Sequence, residues 1–332
     1  MVKYIIKRIL LALLILFGVS IILYFLVRMM PLNAIEAKYL SLHTGDKELN
    51  EAELKAILAR YNLDDDSFGG IIKGWWQWLV KFFSGDMGTS FVKNQPVSDV
   101  ILRNMPISFA ISLISLILEV LIAIPLGIKC ACNQYGKLDY TATVLTMIGI
   151  SFPTFFFGAL VIKLFAVDLG WFPAIGIGDG VGKTVMTWAD FLDMLWHMVL
   201  PLFVLTVLSI GSLMRYTRTN TLEVLNADYI RTARAKGLSE SKVVYKHVFR
   251  NTMIPLVTVL ASTLPGLFGG AMITETVFDI PGIGSVAYEL LAAGDIPFIM
   301  GYNMFIAVLT VIGILLADIM YAVVDPRVKI AK

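Results

Sequence analysis

Six times along the chain the sequence runs apolar for the length of a bilayer, at residues 9–27, 107–128, 140–167, 195–214, 252–277 and 298–324. A helix needs about 20 such residues to cross the hydrocarbon. Nothing in hydrocarbon can hydrogen-bond to an exposed N–H or C=O, so each segment must satisfy its own backbone, which selects the α-helix. The expected fold is an all-α polytopic membrane protein with six transmembrane helices. Composition agrees, with 58% hydrophobic residues against 16% charged and a mean hydropathy of +0.78. A soluble chain carries about 25% charged residues.

Charge placement orients the spans. Lys3, Lys7 and Arg8 precede the first, and Lys129 and Lys137 lie between the second and third. Eight cations from Arg215 to Arg250 lie between the fourth and fifth, and Arg327 and Lys329 follow the sixth. Excess Lys and Arg mark cytoplasmic loops, so these segments and both termini are expected inside. The first run is longer than a signal peptide's and leads into Arg28-Met-Met-Pro31 instead of a small-residue cleavage site, so it is expected to stay as a span. The organisation expected is a first transmembrane helix over 1–30, an extracytoplasmic helical segment over 31–98 and a five-helix core over 99–325. That core carries a cytoplasmic hairpin at 215–251, and a short tail at 326–332 follows it.

The 31–98 segment is the one long polar stretch. Residues 50–61 predict a surface helix with Leu54, Ile57, Leu58 and Tyr61 on one side, capped by Asn50 with Glu53 three residues on. Residues 71–83 place Trp75, Trp76, Trp78, Phe82 and Phe83 beside Lys73 and Lys81. That pattern suits a helix lying at the membrane interface, which indole rings favour; an aromatic ligand cage is the alternative.

The 228–255 stretch is basic, helix-forming and interrupted once, by Gly237. Leu225, Tyr229, Ala233 and Lys236 share helical spacing before the glycine, and Val243, Val244 and Val248 repeat it beyond. Two short helices with a turn at Gly237 are expected. A polar hairpin between two spans is a candidate docking surface for a soluble partner; a basic amphipathic loop on anionic lipid is the plainer alternative.

Polar and helix-breaking residues inside the apolar runs are the other candidates. Glu119 lies within the second run, where a carboxylate is costly and marks a functional position by default. Proton coupling is one reading of it; a path-facing or protonated, hydrogen-bonded residue is the reading preferred. Pro153 in the third run frees a carbonyl that must find another partner. Gly269 and Gly270 in the fifth run permit close helix approach or line a path. Cys130 and Cys132 form a lone Cys-x-Cys without the second pair a zinc site needs. The tract Gly178-Asp-Gly-Val-Gly-Lys-Thr184 imitates a phosphate-binding loop, but the glycine required five residues before Gly182 is Ile177, so no nucleotide site is expected. His43, His197 and His247 are scattered, with no Ser/His pair or His-Glu-x-x-His, which leaves an intramembrane enzyme with least support.

Arg231-Thr-Ala-Arg-Ala-Lys-Gly237, with Asn251 and Pro255 downstream, resembles the cytoplasmic loop of ABC-importer permeases, and most of all the oligopeptide/dipeptide (peptide/nickel) branch, first permease subunit type. The general importer loop reads Glu-Ala-Ala, three residues, Gly, nine residues, then Ile-x-Leu-Pro. Arg231 and Arg250 depart from it at the acidic and final proline positions, as the peptide branch does. Gly85-Asp-Met-Gly-Thr-Ser90, Pro96-Val, the Ile-Pro-Leu-Gly127 ending, Glu275-Thr-Val-Phe with Pro281-Gly-Ile-Gly284, Asp318 and Asp325-Pro-Arg also match that branch. Pro31-Leu-Asn does not, since Pro-Gly-Asp-Pro is usual there.

The resemblance implies a type I permease fold and a transport subunit without catalytic residues of its own. It implies that Asp228, Tyr229, Arg231, Thr232, Ala233, Arg234, Ala235, Lys236 and Gly237 couple to an ATPase, and it adds Glu275 and Asp318 to Glu119, Pro153, Gly269 and Gly270 as polar or path-lining candidates. The implied partners are a second homologous permease subunit, two ATPase subunits that carry ATP and Mg, an extracytoplasmic substrate-binding protein, membrane lipid and a peptide substrate. No cofactor or metal on this chain and no nucleic acid are implied. The implied location is a bacterial or archaeal cytoplasmic membrane. Nickel or another small solute on the same architecture stays open as cargo. A secondary transporter or channel using Glu119 and Asp318 also stays open, but it would not need the basic hairpin.

Overall fold

The computed structural model describes residues 2–29, 59, 65, 67–178 and 187–324, with side chains described between 6 and 318. Among the described residues the secondary structure is helical, apart from one isolated bridge pairing Thr89 with Pro96. The expected helix over 50–61 and the 178–184 tract lie almost wholly outside the described residues. Among the described residues five helices are long and apolar enough to cross a membrane, or six if one sharply bent pair counts as a span. The chain divides into two compact units, one of Met1–Pro106 with Val286–Leu315, the other of Ile107–Ser285 with Leu316–Lys332.

In the first unit, helix α1 (Val2–Arg28) packs against α2 (Phe68–Phe83). Ser67 caps α2 by accepting from the Gly70 amide at 3.0 Å. The tryptophan stripe is not a purely interfacial anchor, because half of it turns inward. Trp75 donates its indole N–H to Ser20 Oγ at 3.2 Å and meets Phe17 edge-on, while Trp78 lies against Tyr24. Ser20 sits well inside the first span, so a buried indole N–H finds its partner there and not in the headgroups. Trp76 and Phe83 face outward. Ala12, Leu16, Tyr24, Trp75, Leu79 and Phe82 share one core with Ile296, Met300 and Met304.

The Gly85–Ser90 motif closes a knot in this unit. Asp295, fully buried, accepts from Ser90 Oγ at 2.5 Å, from the Val92 amide at 3.0 Å and from the Phe298 amide at 3.1 Å. Asp295 thereby ties the 88–97 turn to the link between α12 (Ile283–Ala292) and α13 (Ile296–Val324).

The second unit holds most of α3 (Val97–Cys132), then α4 (Lys137–Ser151), α5 (Thr154–Val161), α6 (Trp188–Leu225), α7 (Asp228–Ala235), α8 (Glu240–Lys242), α9 (Phe249–Thr263), α10 (Gly266–Gly269) and α11 (Met272–Val277). The third apolar run is not one straight helix. Phe152, held extended at ψ 131° ahead of Pro153, ends α4, and α5 leaves at 104° before winding into a π-helical stretch, Ile162–Asp168. The Pro ring excludes the helical conformation from the residue before it, so the run breaks where a single span was expected. The fifth run also breaks. Its apolar helix starts earlier, at Glu240, and ends at Gly269, and α11 is a separate helix beyond Gly270.

Helix α6 opens with a capping box in which the Asp190 amide donates to Thr187 Oγ1 at 3.2 Å and the Thr187 amide donates to Asp190 Oδ2 at 2.9 Å. At about 1.5 Å per residue it spans about 57 Å, nearly twice the hydrocarbon thickness. The helix runs on past the apolar 195–214 stretch through Arg215 and Arg218, so the hairpin expected from residue 215 has no helix break before Leu225.

Candidate functional site

Only one short helix, α7, makes up the tip of the basic hairpin; its flanks are the ends of α6 and of the helix that begins at Glu240. Gly237 closes α7 with its amide donating to the Arg234 carbonyl at 2.9 Å and its backbone at φ +76°. That left-handed conformation costs a side-chain-bearing residue about 1–2 kcal/mol and glycine nothing. A Cβ added there would meet nothing within 4 Å, so the turn is open on its outer side.

The buried face of α7 differs from the expected one. Ile230 and Ala233 point inward, and Tyr229 and Lys236 outward. Ile230, Ala233, Val243 and Val248 form a small core with Val224, Leu225 and Leu238 around it. Val243 and Val248 bound a π-helical stretch, Val243–Val248. In an α-helix residues five apart are rotated by about 140°; in a π-helix i bonds to i+5, so they stack on one side. The π winding therefore lets both valines seat α7.

Around this small core the surface is charged. Asp228 is 99% and Arg231 72% exposed at 3.8 Å from each other, and Thr232 Oγ1 donates to the Asp228 carbonyl at 2.9 Å. Arg234 grips Glu240 with two bonds, 2.6 and 3.2 Å, across the Gly237 turn. Both partners are solvated, so water screens this pair and it contributes little to stability. Ala235 and Lys236 are exposed.

The intramembrane candidates are spread over several environments. Glu119 is half-buried on α3 and makes no hydrogen bond among the described residues. Pro153 is exposed at the α4–α5 bend, and Asp318 is half-buried towards the end of α13. Gly269 ends α10, and Gly270, at φ +76°, turns the chain into α11.

Glu275 is a different case: it is 1% exposed and its carboxylate is fully engaged. Oε1 accepts from the Ala271 amide at 2.9 Å and Oε2 from the Ser285 amide at 3.0 Å. Ser108 Oγ accepts from the Ile283 amide at 2.8 Å beside it. A Cβ on Gly282 would lie 2.4 Å from Glu275 Oε2 and 2.5 Å from Ser108 Oγ, and one on Gly270 would lie 2.7 Å from the Gly284 nitrogen. The carboxylate thus anchors the 270–285 loop. Its ten-residue reach along the chain, from Glu275 to Ser285, has no periodicity that could announce it.

One pair went unread in the sequence. Asp139 on α4 takes two bonds from Arg218 on α6, 2.6 and 2.7 Å, and a third from the Tyr135 amide at 2.9 Å. Its only sequence signal is an acid at the start of a predicted span beside a basic loop. Among the described residues no group of three His, Cys, Asp or Glu side chains is placed to hold a metal.

Among the described residues the chain is helical, breaks two of its apolar runs and carries an exposed helix between two overlong ones. This chain belongs to the binding-protein-dependent transport system inner membrane components: the model of that family matches residues 123–330, and the model of its N-terminal part matches residues 1–113. It is an integral membrane permease subunit of an ABC importer.

Among its relatives, the oligopeptide transport system permease protein AppB of Bacillus subtilis is 37% identical over 330 residues, 99% of this chain and 100% of the relative. The dipeptide transport system permease protein DppB of the same organism is 36% identical over 288 residues, 86% of this chain and 87% of the relative. Among solved structures, the inward-facing MetNI methionine ABC transporter matches with a TM-score of 0.53 at 19% identity, covering 68% of this chain and 96% of that one. That likeness gives the fold, an ABC-importer permease.

Proposed function

We propose that this chain forms one half of the translocation path of a peptide importer. The observation that carries the proposal is similarity along nearly the whole chain to oligopeptide and dipeptide permeases. In this reading six spans cross a bacterial or archaeal cytoplasmic membrane with both termini inside. Residues 31–98 lie outside, and the 326–332 tail and the 215–251 hairpin lie inside. A second homologous permease completes the path, two ATPase subunits bind and hydrolyse ATP with Mg, and an extracytoplasmic binding protein delivers the cargo. The exposed face of α7, with Asp228, Tyr229, Arg231, Thr232, Arg234, Ala235 and Lys236 around the Gly237 turn, enters a groove on an ATPase. The Ile230 and Ala233 contacts pass movement on to the helix beginning at Glu240.

Cargo is tested by deleting the chain in a strain without redundant peptide systems. Uptake of short peptides is expected to stop while free amino acids still enter. Intact peptide uptake with loss of nickel uptake would reassign the cargo. Sidedness is tested with the native cysteines removed and a cysteine at Ser239, which should react only from the cytoplasm; labelling in sealed right-side-out cells would reverse the topology.

A further inference from the structure

A cleft of ≈ 430 Å³ opens between the first half of α4 and the Arg215–Thr219 stretch of α6. Tyr135, Tyr140, Thr143, Asp139, Arg215 and Arg218 are among the residues lining it. We propose that it holds the phosphate of an anionic phospholipid, with an acyl chain lying along α4.

The head of the cleft is built for an anion. Arg218 is fixed by its two bonds to Asp139, at 2.6 and 2.7 Å, and Asp139 is itself fixed by the Tyr135 amide. A guanidinium has five N–H donors. Two are spent on Asp139, and the other three meet no acceptor among the described residues. Arg215, three residues earlier on α6, is exposed and forms no ion pair among the described residues. Two arginines against one aspartate leave the lining with one net positive charge. Preorganised guanidinium groups suit phosphate oxygens because several N–H bonds form at once without ordering the side chain.

The surroundings specify an amphiphile in preference to a free anion. Tyr140, on the cleft wall, is followed on the same helical face by Val144 and Met147, four and seven residues on, and all three are exposed. This stripe leads from the cationic pocket along α4, away from Lys137 at its start. A polar head site continuous with an apolar stripe matches a phospholipid, and tyrosines are favoured at headgroup depth. Basic pockets between transmembrane helices bind anionic lipid headgroups. Lipid capture does not depend on sidedness, so reversed topology in the labelling test would not by itself remove this site.

The test compares the full chain, purified with its partner subunits, in bilayer discs of phosphatidylglycerol mixed with phosphatidylcholine, reading the retained lipid by native mass spectrometry. The wild type is expected to retain phosphatidylglycerol preferentially. Arg215→Gln, at an exposed position without an ion pair among the described residues, should weaken that preference about fivefold. Tyr140→Ser should weaken retention of both lipids. Arg218→Gln also unpairs Asp139, so it is read only where the variant assembles, and there it should abolish the preference. Unchanged phosphatidylglycerol retention in Arg215→Gln would overturn the proposal. So would displacement of the lipid by millimolar inorganic phosphate, which would make the cleft a small-anion site.

Discussion

Gly237 and Gly270 have the same φ, +76°, and each joins a short helix to its neighbouring segment. Their surroundings are opposite. Around Gly237 a Cβ would meet nothing within 4 Å; at Gly270 it would lie 2.7 Å from the Gly284 nitrogen and 2.8 Å from Glu275 Oε1. The first glycine is required by the turn alone and leaves a surface free for something outside the chain. The second is required by the turn and by close packing, and leaves no room for anything. Motif conformity marks both places without telling them apart. A buried carboxylate with satisfied amides makes a rigid element, whereas an exposed helix seated on a core of a few aliphatic residues makes one that a partner can move.

The largest loss of stability is therefore expected at the Glu275 knot. Gly270→Ala adds backbone strain of about 1–3 kcal/mol at φ 76°, ψ 160° to overpacking of about 1–3 kcal/mol against main-chain atoms that cannot yield. The assembled subunit should show a much lower unfolding temperature than Gly237→Ala. Equal unfolding temperatures for the two would erase the contrast between the sites. Glu275→Ala strands the Ala271 and Ser285 amides and is expected to cost about 1–3 kcal/mol, measured by the same thermal unfolding with glutamine as partial rescue. Wild-type stability in the alanine variant would mean water or another group satisfies those amides.

Effects at the hairpin should fall on coupling more than on stability. Inserting an alanine after Lys246 places Val248 six residues after Val243, about 240° round in α winding, and swings it away from Val243. The subunit should still insert but lose ATPase pull-down; retained pull-down would show that the π register does not seat α7. Gly237→Val carries strain of about 1–2 kcal/mol at an open site. It should stay in the membrane while substrate-stimulated ATP hydrolysis in liposomes falls sharply, and wild-type coupling would remove the hairpin as the transmission point. Glu240→Ala should have the smallest effect on any of these readouts, because its pair with Arg234 is screened by solvent.

Local chemistry carried the spans and the turn. Hydrocarbon demands long apolar helices, and a positive φ favours glycine, so the long apolar helices and Gly237 were legible along the chain without neighbours. The basic character of the hairpin was legible too, but its buried face was misplaced, because Ile230 turns inward only once a π-helical stretch, itself without a sequence signature, brings Val243 and Val248 to meet it.

Pro153 and Gly270 announced irregularity, yet whether a run kinks, breaks or crosses intact depends on what its freed ends can pack against. Glu275 reads as a polar residue beside a span; only the approach of Ser285 and Ala271 turns it into an anchor. Asp139 and Arg218 stand 79 residues apart, and Trp75 and Ser20 stand 55 apart. Pairings at such separations are made by the packing of whole helices, so no window of the sequence holds both partners, and tertiary structure alone decides them.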